Sequence, residues 1–209
     1  MRKFENWKRA IPSLIILAVL LASMAAGVTY AKYVTNAQLD GSVQITANLG
    51  NIEVIESKAQ RNPDGSYELL PEITTQNTYY LLPGLDIPKD PKVRITEKSS
   101  IGVYVYLVID TNITPSPTGV SFELQQCWKK LDGYDNVYVY CGDQANAVAV
   151  TDKRDIAILK SDAKGNSVFV SQKLNTNISD TLNLNFTAVM KQVVDGMTAK
   201  EIFADNTDY

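Results

Sequence analysis

The sequence predicts an all-β fold: a two-sheet antiparallel sandwich with one short C-terminal helix, preceded by an N-terminal signal helix. Three observations predict it. Apolar residues recur with period two along nearly the whole chain after residue 31. Turn chemistry separates these runs, as NPDG at 62–65, PG at 83–84 and DG at 132–133. The one strong helix signal comes late: TAKE at 198–201 is a capping box, which predicts a helix of one or two turns through Phe203.

At the N-terminus, Arg2, Lys3, Lys8 and Arg9 precede an apolar run, Ile11–Val28, that holds nothing more polar than Pro12 and Ser13. A positive segment followed by an apolar one reads as a signal peptide. Its 18 residues also reach the lower edge of a membrane span, so a retained anchor is the alternative. The exit argues for cleavage. Thr29 and Ala31 form a small-x-small pattern and Lys32 follows at once, which places the cut after Ala31.

Removing residues 1–31 leaves 178 residues, enough for a single domain (32–209) with a substantial core. That part carries 16 basic and 22 acidic residues, a net charge of −6. Such a surface repels nucleic acid, and no basic block offsets it.

Among the strands, GVYVYLVID at 102–110 is apolar at both alternating sets and predicts a central position. In TLNLNFTAVM at 181–190, Leu182, Leu184, Phe186, Ala188 and Met190 take one face and Asn183, Asn185 and Thr187 the other, which predicts a half-buried strand. Further strands are expected at Val43–Thr46, Asn51–Glu56, Tyr67–Leu70, Lys92–Thr96, Phe122–Trp128, Val137–Cys141, Ala157–Leu159 and Val168–Ser171.

The stretch QQCWKKLDGYDNVYVYCGD reads as a hairpin turning about Tyr134. That register sets Trp128 opposite Tyr140 and Cys127 opposite Cys141. Facing residues are close enough to suggest a disulfide, and an exported protein meets oxidising surroundings. Two free, buried thiols are the alternative. No C-x-x-C pattern supports a redox-active role.

Much chemistry is excluded by composition. The chain has no histidine, so His-based triads, His zinc sites and H-E-x-x-H are ruled out. Two cysteines do not complete a structural zinc site, and no phosphate-binding glycine loop is present. The acid pairs in DGYD at 132–135 and DKRD at 152–155 read as solvated loop residues. No enzyme activity, cofactor, metal or small-molecule substrate is expected. Tyr104, Tyr106, Tyr138 and Tyr140 suit sugar stacking, though such residues more often pack within sheets.

Four stretches carry a family resemblance. GVTYAKYVTN at 27–36 resembles the boundary of the TasA and camelysin-like exported proteins of Gram-positive bacteria, which a SipW-type signal peptidase cuts. ITANLGNIEVIE at 45–56 is similar to the family's opening strand. LLPGLDIPKDPKVRITEKSSIGVYVYLVID at 81–110 resembles its L-x-P-G segment and the strands after it. NFTAVMKQVVDGMTAKEIFA at 185–204 resembles its closing strand and Thr-x-x-Glu helix.

The resemblance implies a jelly-roll sandwich, secreted and deposited at the cell surface or in the biofilm matrix. In fibre-forming members the freed N-terminus donates a strand to the next subunit, so the expected partners are further copies or other matrix proteins. Here residues 32–46 are the candidate donor, with Tyr33, Val43 and Ile45 as anchors. The camelysin branch's proteolytic role does not transfer to a chain without histidine. Competing readings are a monomeric sandwich that binds wall glycan through Tyr104 and Tyr138, and a hydrolase using Asp132 and Asp135. EIFADNTDY ends without an L-P-x-T-G sorting motif, so retention is expected to come from assembly or noncovalent contact.

Overall fold

The computed structural model describes residues 34–38, 41–42, 50–114, 118–174 and 182–205. All of them fall in one compact unit, Val34–Tyr209. In chain order the elements are β1 (Val34–Gln38), β2 (Gly41–Ser42), β3 (Ile52–Arg61), β4 (Tyr67–Thr74), β5 (Lys92–Ile95) and β6 (Val103–Thr111). They continue with β7 (Val120–Phe122), β8 (Trp128–Lys130), β9 (Val137–Tyr140), β10 (Arg154–Ala157), β11 (Val168–Val170), β12 (Leu184–Gln192) and the helix α1 (Ala199–Ala204).

The strands form an antiparallel sandwich, jelly-roll-like in the way the chain passes repeatedly from one sheet to the other. One sheet runs β2-β1-β12-β6-β9-β8 and the second β10-β5-β3-β4, with a small β11-β7 pair beside them. The two main sheets approach most closely where β3 crosses β1 and β12. Among the described residues, no helix is long and apolar enough to cross a membrane.

Alternation explains the core. Val103, Val105, Leu107 and Ile109 of β6 and Phe186, Ala188 and Met190 of β12 are all buried. In the second sheet Val54, Val93 and Ile156 stand opposite one another across three strands, and all three are buried. β-branched side chains suit this pleated surface. As predicted, β6 is central, flanked by β12 and β9.

Two turns show why glycine is required. Gly65 closes the β3–β4 hairpin at φ +89° and Gly133 the β8–β9 hairpin at φ +84°, a region that side chains disfavour. In the second turn the Tyr134 N–H donates to the Leu131 carbonyl at 3.1 Å.

Three strand expectations need correction. Phe122–Trp128 is not one strand: it is broken by a turn in which the Trp128 N–H donates to the Gln125 carbonyl at 3.1 Å, leaving β7 and β8 on either side. The strand expected at Ala157–Leu159 lies earlier, at Arg154–Ala157, because β10 takes its register from β5. The third concerns β12, which is half-buried only in its first part. Val189 and Lys191, on its other face, are also buried because α1 lies across them. Val43–Thr46 lies outside the described residues.

The α1 capping box is complete. The Thr198 hydroxyl accepts from the Glu201 N–H at 3.3 Å, and the Glu201 carboxylate accepts from the Thr198 N–H at 2.7 Å. This start aims Phe203 into a second apolar cluster with Tyr106, Leu131, Val137, Val139 and Val189, on the outer face of the β12-β6-β9 sheet. The Tyr106 hydroxyl donates to the Ala199 carbonyl at 2.8 Å and so ties strand to helix.

Candidate functional site

A sandwich offers its partners faces and edges. An edge strand presents unpaired N–H and C=O groups, which proteins usually shorten, charge, interrupt or cover. The β4 edge is interrupted: Pro71 lacks a donor, and the register with β3 shifts between Ser57 and Ala59. At β10 the edge is covered from its last residue onward, at 157–160. Gln125 N–H donates to the Ile158 carbonyl and Lys160 N–H to the Glu123 carbonyl, both at 2.9 Å. Trp128 completes that cover by donating its Nε1–H to the Ala157 carbonyl at 2.8 Å, joining β8 of one sheet to β10 of the other. β8 itself is three residues long, with Lys129 and Lys130 exposed.

The other end of the six-stranded sheet is made by β1 and β2 laid beside β12. On one side β12 pairs with β6 along all nine residues. Its other side takes β1 over only four, from Val34↔Lys191 to Ala37↔Ala188. Among the described residues, no strand pairs with Leu184–Thr187 on that side. β1 is thus a short N-terminal stave laid on the edge of a central sheet, and the two-residue β2 beyond it pairs only at Ala37↔Ser42 and Gln38↔Gly41.

Under this edge, Lys191 anchors α1. Its Nζ donates to the Phe203 carbonyl at 2.6 Å and lies 5.0 Å from the Phe203 ring. A cation at a helix C-terminus answers both the orphan carbonyls and the negative end of the dipole. Burial pushes the Lys191 pKa below the ordinary lysine value, and the Asp205 carboxylate partly opposes this. The sequence reading missed Lys191, because nothing in a polar-apolar alternation tells that a lysine lies beneath a helix. Asn77 was missed as well. Its amide accepts from the Ala59 N–H and donates to the Ser57 carbonyl, both at 2.8 Å, so a side chain serves as ladder partner to β3.

The candidate residues from sequence distribute as follows. Thr29, Ala31 and Lys32, the cleavage residues, lie outside the described residues, as do the anchors Tyr33, Val43 and Ile45. The hairpin register is as read from sequence, Trp128↔Tyr140 with the rings in edge contact at 5.8 Å. Cys127 and Cys141 are free thiols, and the Cys141 Sγ lies 3.1 Å from the Cys127 carbonyl oxygen. The Cys141 N–H donates to that same carbonyl at 2.8 Å, so the cysteines face each other across a hydrogen-bonded position of the ladder. Opposed Cα atoms there are about 5.5 Å apart, wider than at the alternate positions. Burial first, and then the neighbouring Cys141, push the Cys127 thiol pKa up.

The four tyrosines do not form one platform. Tyr106 is fully buried and Tyr104 packs against its edge, on the outer face beneath α1. Tyr138 stands opposite Leu107 and therefore faces the other way. There it lines an open depression of roughly 560 Å³ with Ser121, Phe122 and Gln126. The acid pairs are engaged at the surface: Asp132 with Lys200 and Asp135 with Lys130, each at 3.1 Å, and Asp155 with Arg94 at 2.8 Å. Among the described residues, no cluster of three or more acidic or cysteine side chains could hold a metal ion.

Compared with protein-family models, curated proteins and solved structures, the chain matches none.

Proposed function

We propose that this chain is an exported structural protein of the cell surface or extracellular matrix, released by cleavage after Ala31, and that it forms fibres by donating β1 to a second copy. One observation carries the reading. The β4, β8 and β10 edges are interrupted, short and charged, or covered, whereas the β12 edge is filled by a separate N-terminal strand through a four-residue register. Backbone bonds made within one molecule can be remade between two at little net cost, which is the logic of strand exchange. The resemblance of GVTYAKYVTN to matrix-fibre precursors points the same way.

The test compares residues 32–209 with residues 43–209 by negative-stain microscopy. Fibres are expected from the first chain and none from the second. Fibres from both would rule out β1 as the donor.

A second reading has one observation in its favour. The depression beside Tyr138 combines aromatic, amide and hydroxyl groups, the mixture that contacts a neutral sugar. Soluble wall glycan titrated against wild type and Tyr138→Ala decides it: saturable binding lost in the variant supports a glycan-binding role.

A further inference from the structure

The open end of the β8–β9 hairpin carries chemistry that the proposed function leaves unused. Cys127 precedes β8 and Cys141 follows β9, and the Cys141 N–H donates to the Cys127 carbonyl at 2.8 Å. The ladder ends there. Both strands leave in turns, one closed by the Trp128 N–H to the Gln125 carbonyl at 3.1 Å and the other by the Gln144 N–H to the Cys141 carbonyl at 2.9 Å. Opposed Cα atoms at such a hydrogen-bonded position are about 5.5 Å apart, inside the span of about 4.4–6.8 Å that a disulfide bridges without backbone movement. The Cys141 Sγ already leans across the ladder, 3.1 Å from the Cys127 carbonyl oxygen and 3.7 Å from that of Gln126. The two thiols differ in access: Cys141 is fully enclosed, whereas Cys127 is half-buried.

We infer that Cys127 and Cys141 close into a disulfide staple when the chain meets an oxidising disulfide, Cys127 making the first attack and Cys141 resolving it. The Cys127 thiolate attacks one sulfur of the oxidant, a small-molecule or protein disulfide, which forms a mixed disulfide and expels the first thiol. The Cys141 thiolate then attacks the Cys127 sulfur and expels the second. Each expelled thiolate takes up a proton lost by a cysteine, so one S–S bond forms in the hairpin and the oxidant is reduced to two thiols. The order follows from access, since an enclosed sulfur does not reach an external disulfide. The staple lies one residue from Trp128, whose Nε1–H joins β8 to the Ala157 carbonyl of β10. It therefore closes the fraying end of the hairpin beside the link between the two sheets. Burial of both sulfurs makes exchange slow in the folded chain and shields the bond once it has formed.

The test uses residues 32–209, which hold the compact unit. The reduced chain is refolded from urea in a mixture of reduced and oxidised glutathione, quenched with acid and weighed by intact-mass spectrometry. The wild type is expected to lose two hydrogens and to carry no glutathione. A chain that stays a dithiol, or that keeps glutathione on Cys127, overturns the inference. The closed loop runs over residues 127–141, and cross-linking a loop of about 15 residues is expected to raise the urea midpoint of the oxidised chain above that of the reduced one by about 1 M or more. Equal midpoints overturn the staple. The order of attack is read from the folded single variants in oxidised glutathione. Cys141→Ser is expected to gain glutathione at Cys127 about tenfold faster or more than Cys127→Ser gains it at Cys141, and equal or reversed rates overturn the order. If Cys141→Ser does not fold, Cys141→Ala takes its place, and the wild-type measurements need neither. None of these readouts depends on fibre assembly or on the cut after Ala31, so the proposed function stands or falls separately.

Discussion

The ammonium of Lys191 donates to the main-chain carbonyl of Phe203 across 2.6 Å, so a buried cation on the strand that receives β1 also holds the end of α1. One residue thus connects the outer helix to the edge strand. Replacing it should loosen both.

Lys191→Met keeps most of the volume and removes the donor. Losing the hydrogen bond from a charged donor costs about 1–2 kcal/mol, so a lower urea midpoint is expected. The pH dependence carries a sign. Because burial lowers the folded-state pKa, the unfolded chain holds the proton more tightly, and wild-type stability rises as pH passes from the folded value up to the unfolded one near 10.4. The variant should lack this alkaline gain. Parallel stability curves for the two proteins between pH 7 and roughly 10.4 would contradict the assignment.

Trp128 reaches from β8 to the Ala157 carbonyl on β10. Trp128→Phe keeps most of the packing and loses that bond, for an expected cost of about 1 kcal/mol. Trp128→Ala also opens a cavity and should cost about 3–5 kcal/mol. A Trp128→Phe variant as stable as wild type, measured by denaturant unfolding, would show that the bond between sheets contributes little.

Acid should weaken the β5–β10 pair. Two hydrogen bonds from the Arg94 guanidinium, at 2.8 Å each, hold the Asp155 carboxyl below the usual range. The stabilisation is therefore present above the unfolded value near 3.9 and is lost as pH falls through the lower folded value. Both side chains are more than one-third exposed, so screening keeps the effect under about 1 kcal/mol. Asp155→Asn should be less stable than wild type at neutral pH and converge with it in acid. Convergence is read from thermal melts across that range.

Cys127 should react slowly. With its pKa pushed up by burial, little thiolate is present at neutral pH, and Cys141 is fully enclosed. Iodoacetamide is expected to modify both residues fast only after unfolding. Rapid native-state labelling at pH 7 would contradict the packing of this hairpin.

The sequence made the sheet legible wherever alternation and turn residues agreed. β6 read as central because both of its alternating sets are apolar, and the β8–β9 register followed from the paired positions of cysteine and aromatic residues about a single turn. SFELQQCW misled because its alternation resembles a strand, while the turn that breaks it is set by a backbone bond from Trp128 to Gln125. Lys191 and Asn77 were invisible for a shared reason. Their roles depend on elements brought to them by tertiary packing, a helix in one case and β3 in the other. The β12 edge was only half legible: sequence marked the N-terminal segment as a donor, but the register that seats it beside β12 comes from the fold.

The most direct test of the account is one preparation: the precursor expressed with its cognate signal peptidase, with the released material sequenced from its N-terminus and viewed by negative stain. The account expects chains that begin at Lys32 and that assemble into fibres. Full-length chains retained in the membrane fraction, or a processed product that stays as single particles, would contradict it.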